Sequence, residues 1–324
     1  MNIDGNPQWF FHTAELLTVL FTSFNILTLC IIIRCPFDPA NKVKKYMICF
    51  QFFAILTDVH NVFGFLPVFY SPFVMFSSNG MFTKLVNYEA HYDFSISQIF
   101  MILKSGSIEQ LFFMIYQGVL PPNHPCKLRE SKCILRFLIS NIIWIISTTT
   151  YYYYILPNQE NIKAQFSESH SELKHLIKNR RVTILSIEDN IFTHFFYAII
   201  IGRSFSGIIQ SGYSVWKCRE VFEYYPLLSR RTIEIKKRFV KTLSLQIGLP
   251  ILVFYTPLII AMIASQFEFF RQYSQTITLV CLLIILTHTF FGSLSLFLVP
   301  GSYQNWMMEE LRGIVKMYRT PEEL

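Results

Sequence analysis

Four charged residues, Asp58, Lys104, Glu109 and Arg203, stand inside stretches of otherwise oily sequence. A charge at the centre of a bilayer costs about 2.5–3.5 kcal/mol on insertion scales, so such residues pair with one another or serve a function. Helical rise gives their depths: Asp58 about 18 Å and Lys104 about 20 Å from the inner ends of their stretches, Glu109 about 12 Å and Arg203 about 15 Å. Matching depths predicts two pairs, Asp58–Lys104 and Glu109–Arg203. A static internal ion pair is the plain reading. A switch that rearranges, or direct contact with a bound molecule, are the alternatives. His60 lies two residues from Asp58 and so on a different side of its helix. His288 reads as a packed, hydrogen-bonded histidine rather than a ligand group. There is no Gly-rich phosphate loop, nucleophile elbow, His-Glu-x-x-His step or zinc-spaced cysteine set. The sequence therefore predicts neither an enzyme nor a metal or cofactor site.

The elements that position these charges follow from composition. Of 324 residues 52% are hydrophobic and 15% charged, with 33 Phe and 17 Tyr. Soluble domains carry about 25% charge, so the chain reads as an integral membrane protein. The net charge of +7 would suit nucleic acid, but the basic residues sort by loop, which excludes that partner and leaves the lipid bilayer. Seven stretches can cross a membrane: 16–33, 46–69, 92–117, 137–156, 190–213, 242–264 and 276–299. Alternate connections hold 19 Lys and Arg on one side and 7 on the other, which puts the N-terminus outside and the 300–324 tail in the cytoplasm. The expected fold is all-α, a seven-transmembrane helix bundle forming one domain over 1–324.

Details of the stretches sharpen this. The third contains Asp93, Lys104 and Glu109 and should face protein rather than lipid. Tyr151–Tyr154 ends the fourth and fits an interfacial aromatic belt, with a pocket wall as the alternative. The connection 157–189 is long and polar, and Ser167–His175 is a candidate surface helix. The basic run Arg230, Arg231, Lys236, Lys237, Arg238 and Lys241 leads into the sixth stretch, where Pro250 and Pro257 each remove a backbone hydrogen bond and invite a kink. None of the seven cysteines falls in an expected outer loop, so no extracellular disulfide is expected. The N-terminus lacks the charge pattern of a secretory signal.

Two blocks carry a resemblance. One is Cys35-Pro36-Phe37-Asp38-Pro39, Tyr46, Leu56-Thr57-Asp58-Val59-His60 and Pro67. The other is Lys236-Lys237-Arg238-Phe239, Leu245-Gln246-Ile247-Gly248-Leu249-Pro250 and Pro257. Together they resemble the nematode serpentine chemoreceptors of classes H and I, with the Thr57-Asp58-Val59-His60 step closer to class I. The resemblance implies a G-protein-coupled receptor in the plasma membrane of sensory neurons and their cilia, binding a small external molecule. It implies that Tyr116, Gln117, Arg231, Lys236, Lys237 and Arg238 face a heterotrimeric G protein; the basic approach to a proline-bearing span itself suggests a moving element, with a kinked, static span as the alternative. Ligand-binding residues stay unassigned. The chain departs from the family's habit at two places: Tyr116-Gln117-Gly118 lacks the arginine that usually follows the tyrosine, and Pro300-Gly301-Ser302-Tyr303-Gln304 replaces a Pro-Tyr-Arg step. The alternatives are a receptor-like protein that does not couple, a seven-span ligand-gated channel of opposite orientation, or a transporter.

Overall fold

The structure is a computed structural model, and it describes residues 5, 7–34, 41–70, 73–86, 89–121, 123–177, 181–187, 191–224, a scatter between 234 and 270, and 273–298. Long helices dominate: α1 (Gln8–Arg34), α2 (Asn41–Val59), α4 (Ala90–Val119), α5 (Glu130–Ile155), α8 (Ile191–Tyr224) and α9 (Ser274–Leu298). Five of these, α1, α2, α4, α5 and α9, are long and apolar enough to cross a membrane. The 34 residues of α8 take the place of the fifth span. Helical turns within Leu252–Ala261 take that of the sixth.

The helix α4 is the axis of the bundle. More than half of its apolar stretch, 56%, is inside the protein, against 17% for α5, so it contacts neighbours where α5 leaves most of its apolar surface uncovered by protein. It packs against α2, α5 and α8, while α1 packs against α2 and α9. Small residues permit the closest approaches, as is usual between membrane helices. A Cβ on Gly106 would stand 2.1 Å from Asn141 Oδ1 of α5, and one on Gly207 would stand 2.7 Å from Glu109 Oε1.

The second span ends earlier than the expected Phe69. Its last turn, His60–Phe65, is a π-helical turn, a widened geometry frequent at functional sites. Leu66 follows in left-handed backbone (φ 41°). Pro67 then disfavours helix for its predecessor, and the chain turns into strand. β1 (Pro67–Phe69), β2 (Val74–Ser78) and β3 (Val182–Ser186) form an antiparallel sheet in the order β1-β2-β3. This sheet was not anticipated. All five residues of β3 are buried, and a strand buried on both faces shows no alternation.

The 157–189 connection folds onto the sheet. Its helix α6 spans Gln159–Ser169, not Ser167–His175, because Asn158 caps it, its side chain accepting from the backbone of Glu160 and Asn161. The short helix α7 (Lys174–Ile177) follows. Gln159 clips the open edge of β3, its Nε2 and Oε1 each 3.0 Å from backbone atoms of Ile184, which removes an exposed sheet edge. Ile162 and Phe166 of α6 join Val68, Met75, Val182 and Ile184 of the sheet and Phe10, Ala14 and Leu279 of α1 and α9 in one apolar core. Burial holds the Lys163 ammonium of α6 below the usual lysine range, opposed by Glu89. The result is a packed lid over the outer ends of the helices. The short helix α3 (Met81–Val86) at its margin exposes Met81, Phe82, Leu85 and Val86.

Candidate functional site

The bundle interior holds two buried polar clusters, and α4 contributes to both. In the first, Asp58 of α2 stands with Oδ1 4.0 Å from Lys104 Nζ of α4. Its other oxygen accepts from Asn25 Nδ2 at 3.1 Å and Thr289 Oγ1 at 2.5 Å. The Lys104 ammonium also meets His288 Nε2. Gln51 Nε2 donates to Ser293 Oγ at 2.9 Å and to the Asn25 carbonyl at 3.2 Å, and Ser293 donates to Asn25 Oδ1 at 2.6 Å. Helical spacing explains the assembly: Gln51 and Asp58 lie two turns apart on one face of α2, and Thr289 and Ser293 one turn apart on α9. The cluster ties the first, second, third and seventh spans.

The second cluster ties the third, fourth and fifth. Arg203 Nη1 of α8 contacts Glu109 Oε1 directly, and both side chains are at least nine-tenths buried. Arg136 of α5, assigned to a connection by its sequence position, lies inside the helix with its guanidinium 4.0 Å over the Phe113 ring. Arg203 lies 5.4 Å from Trp144. With its carboxamide nitrogen toward Glu109, Gln210 donates to Oε2 at 3.1 Å while its oxygen accepts from Arg136. Arg203 therefore meets the Glu109 carboxylate directly, and Arg136 reaches it through Gln210. Arg203 Nε and Nη2 have no hydrogen-bond partner among the described residues.

A third buried carboxylate belongs to the lid. Asp93, fully buried near the start of α4, has Ser78 Oγ at 2.5 Å and contacts Thr83 Oγ1. His60 Nε2 lies 3.1 Å from the Asp93 carbonyl. These contacts fasten β2, α3 and the π-helical turn to α4. The four tyrosines divide by helical position: Tyr152 is fully buried against Phe94 and Phe196, while Tyr154 is 74% exposed. The run therefore has one face turned into the bundle and one turned out of it.

At the inner end of α4, Gln117 is buried. Its Nε2 donates to the Cys126 carbonyl at 3.1 Å, and its Oε1 accepts from Leu128 N at 2.8 Å. Lys127 Nζ donates to the carbonyls of Gln117 and Leu120. Gln117 thus clasps the following loop, and Tyr116 beside it is half-buried. Arg231, Lys236, Lys237, Arg238, Pro250 and the 300–324 tail lie outside the described residues; Pro257 lies in a helical turn and is buried.

Sequence reasoning found the charges and missed Asn25, Gln51, Thr289, Ser293, Arg136 and Gln210. A usable signal existed for some of them: Asn25 and Gln51 are amides inside oily stretches, where an unpaired polar group is costly.

Comparison with known proteins places this architecture. Among solved structures, the crystal structure of squid rhodopsin is similar with a TM-score of 0.60 at 9% identity, covering 97% of this chain and 87% of that one. That likeness is one of fold: seven membrane-spanning helices. No curated protein matches the sequence. The profile of the family described as "Serpentine type 7TM GPCR chemoreceptor Srh" matches residues 5–312. Of the two classes that the sequence resembles, the match is to Srh, although the Thr57-Asp58-Val59-His60 step leaned toward class I. A multi-pass bundle with a basic inner side, α4 at its axis and a profile match over nearly its whole length make this chain a member of the serpentine seven-transmembrane chemoreceptor family Srh.

Proposed function

We propose that the protein is a chemosensory receptor of the plasma membrane, in sensory cilia, that detects a small external molecule and signals to a heterotrimeric G protein. One observation carries the reading: α4 runs from the lid to the cytoplasmic face and joins both buried charge clusters. A ligand under the lid would bias one arrangement of α4 and α8 over another, and only such differential binding transmits a signal. The Glu109–Arg203 contact, between those two helices, is the bistable element. The sixth span, into which the sequence places Pro250 and Pro257, would swing its basic foot of Arg231, Lys236, Lys237 and Arg238 and open a crevice beside Tyr116 and Gln117. The same basic foot would also meet anionic lipid of the inner leaflet.

The test is a chemical panel applied to cells expressing the receptor, with a second-messenger readout and an unrelated receptor as control. A response that is abolished when the basic foot is neutralised supports coupling through it. A second reading, a receptor-like protein that binds without coupling, draws on the Gln117 clasp, which occupies the place where the family carries an arginine. Ligand-induced stabilisation of the purified protein without any second-messenger response would favour it.

A further inference from the structure

Gln98 sits on α4 eight residues past Ala90, about 12 Å below the outer end of the helix. It is 9% exposed, and neither its Nε2 nor its Oε1 has a hydrogen-bond partner among the described residues. Native proteins rarely leave both ends of a buried amide unmatched, and each exception calls for an explanation. The surroundings supply one. Phe94 lies one turn above Gln98 on the same face of α4. The Phe94 ring is 4.8 Å from Phe76 of the lid and 5.2 Å from Tyr152 of α5. Thr183 pairs directly with Phe76 across the sheet, so both side chains are on the same sheet face. The Thr183 hydroxyl is buried and likewise lacks a partner among the described residues. Two polar groups without a partner among the described residues, one on α4 a turn from Phe94 and one on the lid opposite Phe76, thus flank the Phe94–Phe76 contact.

We propose that Gln98 is the polar determinant of ligand recognition and that it selects an uncharged molecule presenting a hydrogen-bond acceptor and donor side by side, of the carboxamide or lactam class, on an apolar body. A carboxamide offers both functions in one plane and is matched only by a partner that offers both. Charge excludes the nearby alternatives. The ammonium of Lys104 is engaged by Asp58 and His288, so a carboxylate ligand would be buried without a counter-ion. Asp93, five residues before Gln98 on a different side of α4, is held by Ser78 and Thr83, so an ammonium ligand fares no better. The aromatic rings would take the apolar body and the Thr183 hydroxyl a second contact.

This inference rests on the receptor reading but is tested without a G protein. Full-length receptor in lipid nanodiscs is unfolded thermally and followed with a thiol-reactive fluorophore, which reports exposure of the buried Cys133, Cys218 and Cys281. The probes are straight-chain primary amides from butanamide to octanamide, with the matching methyl ketones and sodium carboxylates, at millimolar concentration. Wild type should gain Tm with at least one amide and more than with its ketone or carboxylate. Gln98→Leu should keep or raise the ligand-free Tm, since it removes an unmatched polar group, and should lose the amide shift. Thr183→Val should reduce the shift by a smaller amount. A lower ligand-free Tm in Gln98→Leu would mean that the amide has a structural partner and would overturn the assignment. So would an amide shift that survives Gln98→Leu, a wild type that no amide stabilises, or carboxylates that stabilise as well as amides. A wild type that amides stabilise but that gives no second-messenger response contradicts the proposed coupling alone.

Discussion

The two buried clusters are built from similar parts yet differ in how completely those parts are satisfied. Around Asp58 every charged atom meets a partner: Asn25 and Thr289 on one carboxylate oxygen, Lys104 facing the other, and His288 on the ammonium. Around Glu109 there is a surplus of positive charge, with Arg203 on the carboxylate, Arg136 linked to it through Gln210, and two guanidinium nitrogens of Arg203 without a partner among the described residues. The chemistry of the cations widens the contrast. A lysine deprived of its carboxylate can shed its proton, whereas an arginine cannot. A fully satisfied network fixes one arrangement. An incompletely satisfied one has more than one arrangement of comparable energy, which a moving helix requires. On this comparison the Asp58 cluster suits holding the bundle together, and the Glu109 cluster suits the change of state proposed above.

The largest expected effect breaks the second cluster. Glu109→Gln leaves the buried Arg203 guanidinium without its carboxylate and should cost about 3–5 kcal/mol, the range for a broken buried ion pair. Surface display of an epitope-tagged receptor, read by flow cytometry, should fall to background. Display near wild type would show that the cluster is solvated and not under electrostatic load. Next comes the first cluster. Asp58→Asn should cost less, about 1–3 kcal/mol, because Lys104 can neutralise itself. The double variant Asp58→Asn with Lys104→Met should recover display relative to Asp58→Asn alone. A double variant no better than the worse single would remove the pairing from the account.

Smaller changes sharpen the contrast. Asp93→Asn weakens the fastening of the lid to α4 by about 1 kcal/mol. Limited proteolysis should then cut the 157–189 connection faster while display is preserved; an unchanged rate would mean that the apolar core beneath α6 suffices to hold the lid. Gln117→Ala frees the loop after α4 for a cost of about 1 kcal/mol, and amide hydrogen exchange at residues 123–129 should rise. The smallest effect is expected from Arg136→Gln. It leaves Glu109 and Arg203 as a one-to-one pair, so stability should stay within about 0.5 kcal/mol of wild type. A large loss would show that Arg136, and not Arg203, is the main partner of Glu109.

How much of this was legible in the sequence depended on the size of the physical signal. The charges were visible because each carries a transfer cost of kilocalories, and helical rise alone gave their depths closely enough to bring Asp58 toward Lys104 and Glu109 toward Arg203. The hydroxyls and amides that complete the clusters were not, because polar groups in membrane helices often satisfy themselves locally. Thr13 and Ser23 of α1 each donate to a carbonyl one turn back at 2.7 Å, and nothing in their spacing separates them from Thr289, which reaches Asp58. Arg136 was misplaced because an arginine six residues into a helix reads equally as the end of a basic loop.

What the sequence determined by itself is the set of oily stretches, their orientation from the asymmetry of Lys and Arg, and the crowded, charged character of α4, since partition into a bilayer is nearly additive along the chain. What only the tertiary structure decided is the lid. Its strands come from connections about a hundred residues apart in sequence, its outer strand is buried throughout, and the register that sets Thr183 opposite Phe76, whose ring meets Phe94, exists only once β2 and β3 have met. Pairing between distant segments depends on which surfaces remain to be covered after the helices have packed, and no local pattern records that.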